Sequence, residues 1–582
     1  MVTKSRILLF VLSLSLIVSL FSSGAPDSAA ALNNGLAQTP PMGWNSWNRF
    51  ACNINESLIR QIADAMVSSG LRDAGYIYLT VDDCWSALTR DSSGNLRADP
   101  TDFPSGMKAL GDYIHARGLK FGLYTSIGSL TCTGKTPGSL NNEFRDVATF
   151  ASWGVDYMKI DRCGPERDTL NYPEIYARYR DAVIAAGRPI VLSASTNGGA
   201  QEPWSWGATV AHQWRTTGDI RDNWSSMSGV LNGNVRFPGA SVPGGVNDPD
   251  MLEVGNGGMT ETEYRTHFGM WALMAAPLIA GHDVRSTSAT TRAILTHPEV
   301  LAIDQDRLVF QAINVSDNGA GLQVWYRPLS GSGVRAVGLL NRSTSAATMS
   351  VNWSQIGLAS GSATVRDVWA RADRGTFTNS YSVSVPAHGL ALLRIVGTDL
   401  SVSTGFLSDQ PWTYVANGYG PVERDRSVNT SAAGDGNPIR LNGVTYAKGF
   451  GAHAPSAIEF RPNGACSNFT ASIGVDDEVG SNGNVIFEVW ADGNRLYESG
   501  VMTGSSATKN INLDISGRNS LRLQLSGGNN GLSNDHGDWA NAQVNCGGPT
   551  PTPTWTPTPT QPPEGNVYQA EAASLGGGVT VD

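Results

Sequence analysis

The first clear helix-to-strand unit of the chain reads LIRQIADAMVSSGLRDAGYIYLTV at residues 58–81. Its apolar residues recur at helical spacing and form one face, which comprises Leu58, Ile59, Ile62, Ala63, Met66 and Val67. Gly70 follows as a helix-ending residue, and residues 76–81 form a continuous apolar stretch typical of a buried strand. Strands that are apolar on both faces predict a parallel sheet covered by helices.

The same unit recurs along the first half of the chain. Further strands are predicted at Leu119–Thr125, Val155–Ile160 and Pro189–Ala194, and the strand starts lie about 34 to 43 residues apart. An open doubly wound sheet and a closed (β/α)8 barrel both fit this spacing. No GxGxxG motif opens a βα turn, which disfavours the dinucleotide-binding version of the open sheet. We therefore predict a (β/α)8 TIM barrel over residues 36–306, a span of the usual barrel size.

The pattern changes to two-residue alternation after the barrel. Stretches such as Leu322–Tyr326 and Ser382–Leu392 predict an antiparallel β-sandwich domain over residues 307–397. A second β-rich block, residues 401–546, predicts a further β-sandwich module. Residues 547–563 form a Pro/Thr-rich linker. The final segment, 564–582, is too short to fold alone and is predicted to be the truncated start of another module.

The chain starts with the features of a secretory signal peptide. Lys4 and Arg6 precede the apolar stretch Ile7–Phe21, and small residues follow at 28–31. A membrane anchor is the alternative, but the apolar stretch is short for a spanning helix. We therefore predict that residues 1–31 are a signal peptide and that the protein is secreted.

The cysteines fit an exported protein. Four lie in the first third of the chain and two near its far end: Cys52, Cys84, Cys132 and Cys163, then Cys466 and Cys546. In an exported chain such residues are typically disulfide-bonded, and pairing within each group is the simplest arrangement. No CxxC motif occurs and the histidines are scattered, so we predict neither a Cys/His metal site nor a cofactor.

Composition excludes other classes of protein. Charged residues make up 16% of the chain, against about 25% in an average soluble protein. The net charge is −10 and no basic patch stands out, which argues against a nucleic-acid partner. The 41% hydrophobic content argues against wholesale disorder. No membrane partner is expected once the signal is removed.

Acidic residues cluster where several predicted strands end. Asp82 and Asp83 close the first strand, where they could cap a helix or bind neighbouring hydroxyl groups of a sugar. Lys159 and Asp161 lie two residues apart, so both side chains leave the same side of their strand. A lysine there would keep Asp161 ionised, as a nucleophile requires, although a structural ion pair would look the same.

Two later motifs complete the acidic series. Arg215 and Asp219 lie in WRTTGD, and Asp250 lies in NDPDM. Trp44 and Trp47 precede all of these clusters. Carboxylate pairs with aromatic platforms indicate glycoside hydrolysis, in which one acid attacks, another donates a proton and a ring stacks on the sugar.

Together these motifs resemble glycoside hydrolase family 27, the α-galactosidase and α-N-acetylgalactosaminidase group. The resemblance is carried by TPPMGWNSW (39–47), VDDCW (81–85), YMKIDRC (157–163), WRTTGD (214–219) and NDPDM (247–251). It covers about residues 36–397 and implies a (β/α)8 barrel followed by an antiparallel β domain. It also implies a secreted, retaining exo-α-glycosidase, most simply an α-galactosidase acting on terminal α-D-galactose.

The resemblance assigns roles to individual residues. Asp161 would be the nucleophile and Asp219 the acid/base, with carboxyl groups about 5–5.5 Å apart. Asp219 would need a raised pKa and Asp161 a low one. The remaining contacts to the terminal sugar would come from Trp44, Asp82, Asp83, Tyr124, Lys159, Cys163, Arg215 and Asp250. The implied disulfides are Cys52–Cys84 and Cys132–Cys163.

The chain departs from the family pattern after its fifth predicted strand. Where α-galactosidases usually carry Cys-Glu-Trp, residues 193–199 read SASTNGG, so Ser195 or Thr196 takes the place of the acid. A small residue could leave room for a 2-acetamido group. An α-N-acetylgalactosaminidase, a β-L-arabinopyranosidase and an isomalto-dextranase-like enzyme are therefore alternatives, although an intact Asp82-Asp83 pair disfavours the arabinopyranosidase. A non-catalytic carbohydrate-binding protein is the alternative from another class.

The block 401–546 resembles a carbohydrate-binding module found beside galactosidases. GFGAHAPS (449–456), VDDE (475–478) and GDWANAQ (537–543) carry the likeness. The acids Asp476, Asp477 and Glu478 could bind Ca²⁺, but loop acids are more often simply solvated, so no metal is predicted. Cys466 and Cys546 would staple the module, which would bind polysaccharide. VYQAEA at 567–572 resembles the start of a further module of this kind.

Overall fold

A computed structural model of the protein describes residues 34–528 and 531–547. The predicted signal peptide, the linker after Gly547 and the segment 564–582 lie outside the described residues. Within the described part, no helix is long and apolar enough to span a membrane.

The first region is the predicted (β/α)8 barrel. Its parallel strands are β1 Met42–Asn45, β2 Tyr78–Val81, β3 Lys120–Ser126, β4 Tyr157–Asp161, β5 Val191–Ser195, β6 Gln213–Arg215, β7 Val246–Asp248 and β8 Leu278–Ala280. They pair in the order β7-β6-β5-β4-β3-β2-β1-β8. A parallel bridge between Leu252, just after β7, and Ala280 of β8 joins the two ends of this order. Because chain neighbours are sheet neighbours, the carboxyl ends of all these strands meet at one face of the barrel.

The helices surround this sheet. They are α1 Trp47–Phe50, α2 Glu56–Ser68, α3 Gly106–His115, α4 Glu143–Ser152, α5 Tyr172–Ala186, α6 Pro203–Val210, α7 Trp224–Asn234, α8 Glu261–Leu273, α9 Ala289–Leu295 and α10 Pro298–Asp304. Helix α2 begins where the Asn55 side chain accepts a hydrogen bond from the backbone N–H of Leu58. Its predicted apolar face is buried at Leu58, Ile59, Ile62, Ala63 and Met66, whereas Val67 lies half-buried at the edge of that face.

The predicted strands are present but start one or two residues later than expected. The predicted strand 76–81 begins at Tyr78, and the predicted strand 189–194 begins at Val191 and ends at Ser195. Apolar residues at the amino ends of these stretches are buried without sheet pairing, so the hydrophobic pattern overstates the strand there.

The second region is an antiparallel β domain. Its strands are β9 Ile313–Asp317, β10 Leu322–Pro328, β11 Val334–Asn341, β12 Ala347–Asn352, β13 Ser362–Asp367, β14 Ala372–Thr378, β15 Ser380–Val385 and β16 Leu390–Val396. The stretch 382–392 therefore spans the end of β15, a turn and the start of β16. This domain shares one apolar core with the barrel. At their contact a Cβ on Gly338 would lie 2.5 Å from the Leu273 side chain of α8, so a larger residue there would displace this side chain.

The third region is a β-sandwich. Its strands are β17 Gly405–Phe406, β18 Tyr414–Ala416, β19 Glu423–Arg424, β20 Arg440–Leu441, β21 Val444–Thr445, β22 Gly449–His453, β23 Ser456–Phe460, β24 Cys466–Val475, β25 Val485–Ala491, β26 Asn494–Met502, β27 Lys509–Asp514, β28 Leu521–Gly527 and β29 His536–Cys546. One sheet has the order β19-β22-β29-β24-β27 and the other β18-β23-β28-β25-β26.

This β-sandwich packs directly on the barrel. Arg522 and Gln524 of β28 each donate a hydrogen bond of 2.6 Å to a backbone oxygen before β7, at Ser241 and Gly239. Both acceptors precede a barrel strand, so the sandwich covers the amino-end side of the barrel. The candidate site lies at the opposite face of the barrel, where the strands end.

Candidate active site

A cavity of about 530 Å³ opens where the barrel strands end. Loops that follow different strands meet there because parallel strands place their carboxyl ends on one face. The side chains that were predicted from the sequence and line it are Asp82, Asp83, Tyr124, Lys159, Asp161, Arg215, Asp219 and Asp250. The tertiary structure therefore brings together acids that lie up to 168 residues apart in sequence.

Asp161 is the last residue of β4 and points into this cavity. Its carboxylate accepts a hydrogen bond from the backbone N–H of Arg162 (2.8 Å) and lies 4.0 Å from the Lys159 ammonium. Burial raises the pKa of Asp161 above its usual value, and the charges of Lys159 and Arg215 only partly oppose this rise. This direction is opposite to the low pKa expected of a nucleophile, because the sequence does not show how deeply the carboxylate is enclosed.

Asp219 lies at the mouth of the cavity, where its side chain is 77% exposed. Its carboxylate accepts a 3.0 Å hydrogen bond from Arg215, four residues earlier. Partial burial opposes ionisation, but the charge and hydrogen bond of Arg215, with help from Lys159, lower the pKa of Asp219. This direction is opposite to the raised pKa expected of the acid/base residue. The reason is that Arg215 turns towards Asp219, which the sequence spacing alone does not show.

Arg215 is the buried cation on this side of the cavity. Besides Asp219, it contacts the Asp250 carboxylate at 2.9 Å. Asp250 has a left-handed backbone (φ 102°), a strained conformation for a residue other than glycine. The backbone N–H of Ile220 donates to the other oxygen of Asp250 (2.8 Å), which ties the Asp219 loop to the loop after β7. Burial raises the pKa of Asp250 to about 6 despite the adjacent Arg215.

Lys159 is the second buried cation and contacts the first acidic motif. Its ammonium lies 2.8 Å from Asp82, which also accepts a hydrogen bond from the Asn45 side chain (2.7 Å). Asp83 accepts a hydrogen bond of 3.2 Å from the backbone N–H of Thr133, and burial raises its pKa. Asp82 and Asp83 are therefore held as hydrogen-bond acceptors on the cavity wall rather than at the start of a helix.

Tyr124 and a disulfide form the wall beside Asp161. The structure contains the disulfides Cys52–Cys84, Cys132–Cys163 and Cys466–Cys546, the first two being those that the resemblance implies. The Tyr124 hydroxyl contacts the sulfur of Cys132 at 2.9 Å. Cys132 lines the cavity, whereas Cys163 lies just behind it, with both sulfurs within 4.8 Å of an Asp161 oxygen. Because disulfide sulfurs are not thiolates, this group lacks the ligands of a metal site.

The aromatic platform is Trp47 rather than Trp44. Trp44 is fully buried, and its indole N–H donates a 2.8 Å hydrogen bond to the backbone oxygen of His282. Trp47, three residues later at the start of α1, lines the cavity. The predicted contact of Trp44 with the sugar is therefore corrected to Trp47. The motif holds both tryptophans, and only the direction of the chain after β1 separates them.

Ser195 and Thr196 lie beside Asp161, the candidate nucleophile, but neither residue lines the cavity. Ser195 pairs with Asp161 across the β4–β5 ladder and is 1% exposed. It lines a small void of about 20 Å³ that also touches Lys159, Arg215 and Asp250. Thr196 is fully buried, and its hydroxyl donates to the backbone oxygen of Arg215 (2.8 Å). Neither side chain supplies the acid that the family motif places there.

The outer part of the cavity contains residues that the sequence did not single out. They are Asn48, Arg221, Asp222, Glu253 and Asn256. Glu253 accepts hydrogen bonds from the side chains of Asn48 (2.8 Å) and Asn256, and burial raises its pKa to about 7. Asp222 and Glu253 each lie three residues beyond a predicted site acid, so their position in the same loops was the available signal.

Asp476, Asp477 and Glu478 each hold a loop of the β-sandwich. Asp476 and Asp477 accept backbone hydrogen bonds from Arg440 (3.1 Å) and Asn442 (2.8 Å). Glu478 accepts one from the side chain of Ser427 (3.0 Å). Each carboxylate thus has a structural hydrogen bond that does not require a cation.

Three family models match consecutive parts of the chain. Residues 39–306 match "Alpha galactosidase A", and residues 319–395 match "Alpha galactosidase C-terminal beta sandwich domain". Residues 403–545 match "NPCBM/NEW2 domain". The three matches follow the order of the barrel, the antiparallel β domain and the β-sandwich.

Individual proteins extend this similarity. An alpha-galactosidase of Cyamopsis tetragonoloba is 48% identical over 356 residues, which cover 61% of this chain and 85% of that protein. The crystal structure of alpha-galactosidase I from Mortierella vinacea is similar with a TM-score of 0.61 and 39% identity, covering 63% of this chain and 99% of the other. An alpha-galactosidase from Saccharomyces cerevisiae with raffinose matches with a TM-score of 0.59 and 30% identity, covering 63% and 99%.

Proposed function

The chain belongs to the alpha-galactosidase family, and from this premise we propose that its barrel hydrolyses terminal α-D-galactose from oligo- or polysaccharides. One observation carries the proposal: Asp161 and Asp219 line the same cavity, together with Lys159 and Arg215. Two carboxylates in a polar cavity are the requirement for glycoside hydrolysis. The relatives supply the choice of sugar, because they are alpha-galactosidases at 48 to 50% identity.

In the proposed mechanism Asp161 attacks the anomeric carbon from one side of the sugar ring. Asp219 donates its proton to the departing glycosidic oxygen, and a covalent glycosyl-enzyme forms on Asp161. Asp219 then removes a proton from water as the water attacks the anomeric carbon and releases Asp161. The anomeric configuration is retained because the carbon is inverted twice.

The electrostatics set a condition on the first step. Arg215 favours the ionised form of Asp219 in the unliganded cavity, but the acid must carry a proton to assist the leaving group. We propose that a bound substrate excludes water from the exposed Asp219 carboxyl and replaces its hydrogen bond to Arg215. Arg215 keeps its contact with Asp250, so its charge stays compensated.

The glycone would be held by the acids that the barrel fixes in place. Asp82 and Asp83 accept hydrogen bonds from sugar hydroxyls, and Lys159 donates one while it screens Asp82 from Asp161. Trp47 supplies the apolar face against which the ring packs. The place beside Ser195 has no acid, so this wall of the glycone site differs from the usual family motif.

Substrate choice is tested with nitrophenyl glycosides on the purified protein. Rapid release from the α-galactoside is expected, with slow release from the α-N-acetylgalactosaminide, the β-L-arabinopyranoside and the α-glucoside. The kcat/KM of each substrate is the quantity compared. Negligible α-galactoside release beside strong release from another glycoside would reject the galactose assignment. Binding of galactose with no turnover of any glycoside would favour a non-catalytic protein.

We also propose the modular organisation that was expected from the sequence. Residues 36–306 form the catalytic barrel, 307–397 the antiparallel domain and 401–546 a module that binds polysaccharide. Residues 1–31 are proposed to direct secretion and to be removed, and 547–563 to link a further module. Amino-terminal sequencing of protein recovered from culture medium tests the cleavage, since an intact Met1 on that protein contradicts it.

A further inference from the structure

A second cavity lies between the barrel and the β-sandwich module. Its volume is about 400 Å³, and it shares no lining residue with the catalytic cavity. On the barrel side it is lined by Gln38, which precedes β1, and by Gly245, which precedes β7. It therefore lies at the amino-end face of the barrel, opposite the candidate active site. Strands β25 and β26 of the module form its other wall.

We call this cavity the interdomain cleft. The module wall of the cleft carries a tryptophan whose hydrogen-bond donor has no acceptor. Trp490 is 7% exposed, and its indole N–H has no hydrogen-bond acceptor among the described residues. A buried N–H without an acceptor costs free energy comparable to that of a lost hydrogen bond. The nitrogen itself is enclosed, so a ligand acceptor would meet it only after a small movement of the surrounding side chains. Ile486 lies on the same wall and adds apolar surface.

Charged side chains complete the wall beside Trp490. Arg495 pairs with Glu488 at 2.9 Å and with Glu498, both through the same nitrogen, Nη1. Ser526 donates a 3.2 Å hydrogen bond to Glu488. Within the described part of the chain, the other guanidinium nitrogens of Arg495 make no hydrogen bond, so they remain available as donors. Glu498 keeps its second oxygen as an acceptor.

The composition of the cleft selects among classes of ligand. Two carboxylates beside one guanidinium disfavour an anion, and the guanidinium between them disfavours a simple cation. A wholly apolar ligand would remove water from three charges without replacing its hydrogen bonds. A neutral sugar offers hydroxyls that both donate and accept, which suits the Arg495 guanidinium that lies over the Trp490 ring and the free oxygen of Glu498.

We propose that the interdomain cleft is a binding site for a neutral glycan chain, remote from the catalytic cavity. Trp490, Arg495 and Glu498 are its principal contacts. One pyranose ring would donate hydroxyl hydrogens to Glu498 and accept hydrogen bonds from Arg495 and the Trp490 indole. Because barrel and module both line the cleft, the site exists only in the assembled chain. This inference rests on the proposed role of residues 401–546 as a polysaccharide-binding module and does not depend on the proposed hydrolysis.

The test uses a spectroscopic label at every tryptophan of the full chain and follows the signal of Trp490. Tryptophan is replaced by 5-fluorotryptophan throughout, and the Trp490 signal is assigned by its loss in Trp490→Phe. Mannotriose, maltotriose and raffinose are titrated into the Asp161→Asn variant, which is expected not to turn over raffinose, while the ¹⁹F spectrum is recorded. A saturable shift of the Trp490 signal with at least one sugar is expected.

Matched variants show whether the shift reports the cleft. Arg495→Gln and Glu498→Gln should weaken the affinity about tenfold or more, a loss of about 1.4 kcal/mol or more. Arg265→Gln, which breaks an exposed ion pair on α8, should leave the affinity unchanged. No saturable shift with any of the three sugars overturns the proposal, as does a shift that survives in both cleft variants.

A kinetic measurement separates this inference from the proposed function. Arg495→Gln and Glu498→Gln in the otherwise unaltered chain should retain the kcat/KM of the parent protein for nitrophenyl α-galactoside. If the parent protein releases no nitrophenol but the Trp490 signal still shifts, the proposed hydrolysis is wrong and the cleft is supported. If nitrophenol release is normal and no shift occurs, the cleft is wrong and the proposed hydrolysis stands.

Discussion

Buried carboxylates occupy two regions of this protein under opposite electrostatic conditions. In the catalytic cavity, Asp82 and Asp161 lie beside Lys159, and Asp219 and Asp250 lie beside Arg215. In the β-sandwich module, Asp535 and Asp538 are fully buried with no lysine or arginine ion pair among the described residues. Asp82, Asp161 and Asp250 are enclosed much as Asp535 and Asp538 are, whereas Asp219 lies exposed at the mouth of the cavity, and the cavity acids differ from these two module acids in having a cation beside them.

The difference decides which carboxyl groups carry protons. Burial and the neighbouring Asp476 carboxyl raise the pKa of Asp538 well above its usual value. Burial raises the pKa of Asp535 to about 7. In the catalytic cavity the two cations oppose the same effect, and Asp219 even has a lowered pKa. In both regions burial raises the pKa of carboxyl groups, and in the catalytic cavity the neighbouring cations oppose that rise.

The largest expected effect comes from the proposed nucleophile. Asp161→Asn should lower kcat for nitrophenyl α-galactoside by at least about 10⁴-fold, because an amide cannot form the glycosyl-enzyme. Asp168→Asn, which alters an exposed acid in the following loop, should retain the activity. Both variants should unfold at nearly the temperature of the parent protein. Substantial turnover by Asp161→Asn would remove this residue from the mechanism.

The second effect depends on the leaving group. Asp219→Asn should lower kcat/KM for raffinose by about 10³ to 10⁴-fold, because its leaving oxygen needs a proton. The loss should be much smaller for dinitrophenyl α-galactoside, whose leaving group departs as an anion. Added azide should restore turnover of the dinitrophenyl substrate, since azide needs no general base. Equal losses for both substrates would argue against the acid/base role.

The third prediction removes one of the compensating cations. Lys159→Met leaves Asp82 and Asp161 buried without their ammonium partner, so the free energy of unfolding should fall by about 3 kcal/mol at pH 7. The deficit should shrink at low pH, because protonation of Asp161, whose pKa burial raises, removes an uncompensated charge. Denaturant unfolding followed by fluorescence, at pH 7 and at low pH, measures the deficit in the free energy of unfolding at each pH. An identical deficit at both values would show that lost packing, rather than uncompensated charge, is responsible.

The smallest expected effect lies in the module. The folded pKa of Asp535 is about 7, above the unfolded value of about 3.9, so this group stabilises the fold at low pH. That contribution should be lost as the pH rises from about 4 through 7. Asp535→Asn should remove this dependence and make the protein more stable than the parent at pH 8, by about 1 to 2 kcal/mol.

Thermal unfolding of the parent protein and of Asp535→Asn is measured between pH 4 and 8. A chelator is present throughout, so that no divalent cation neutralises the Asp535 carboxyl. The backbone N–H of Asn484 donates to Asp535 at 2.8 Å, and an asparagine carbonyl can still accept this bond. A variant that loses stability with rising pH as the parent does would show that Asp535 is already ionised at low pH.

Much of the fold could be predicted because the hydrophobic period depends on local sequence. The face of α2 and the strands β2 to β5 follow directly from apolar spacing. The strand starts were one or two residues early, since an apolar residue can be buried without pairing in the sheet. The turn within the stretch 382–392 does not show in the pattern, because apolar and polar residues alternate in the same way in β15 and in β16.

Only some residues of the candidate site could be predicted from the sequence. The acids at strand ends were identified because a barrel places strand ends on one face, whatever the loops do. The choice of Trp47 over Trp44 depends on where the chain turns after β1, and Glu253 enters the cavity only through the fold of its loop. The directions of the pKa shifts of Asp161 and Asp219 do not follow from the sequence, because a pKa depends on burial and on neighbours distant in sequence.

The sequence by itself determined the barrel, the two β domains and the set of acids at the strand ends, because periodicity and local motifs encode them. Only the tertiary structure decided which cation compensates which acid, which tryptophan faces the cavity, and that the barrel and module enclose a second cleft at Trp490. These outcomes depend on distances of a few ångströms between residues that lie far apart in the chain. Electrostatic and hydrogen-bond energies change steeply over such distances, whereas the hydrophobic pattern does not record them.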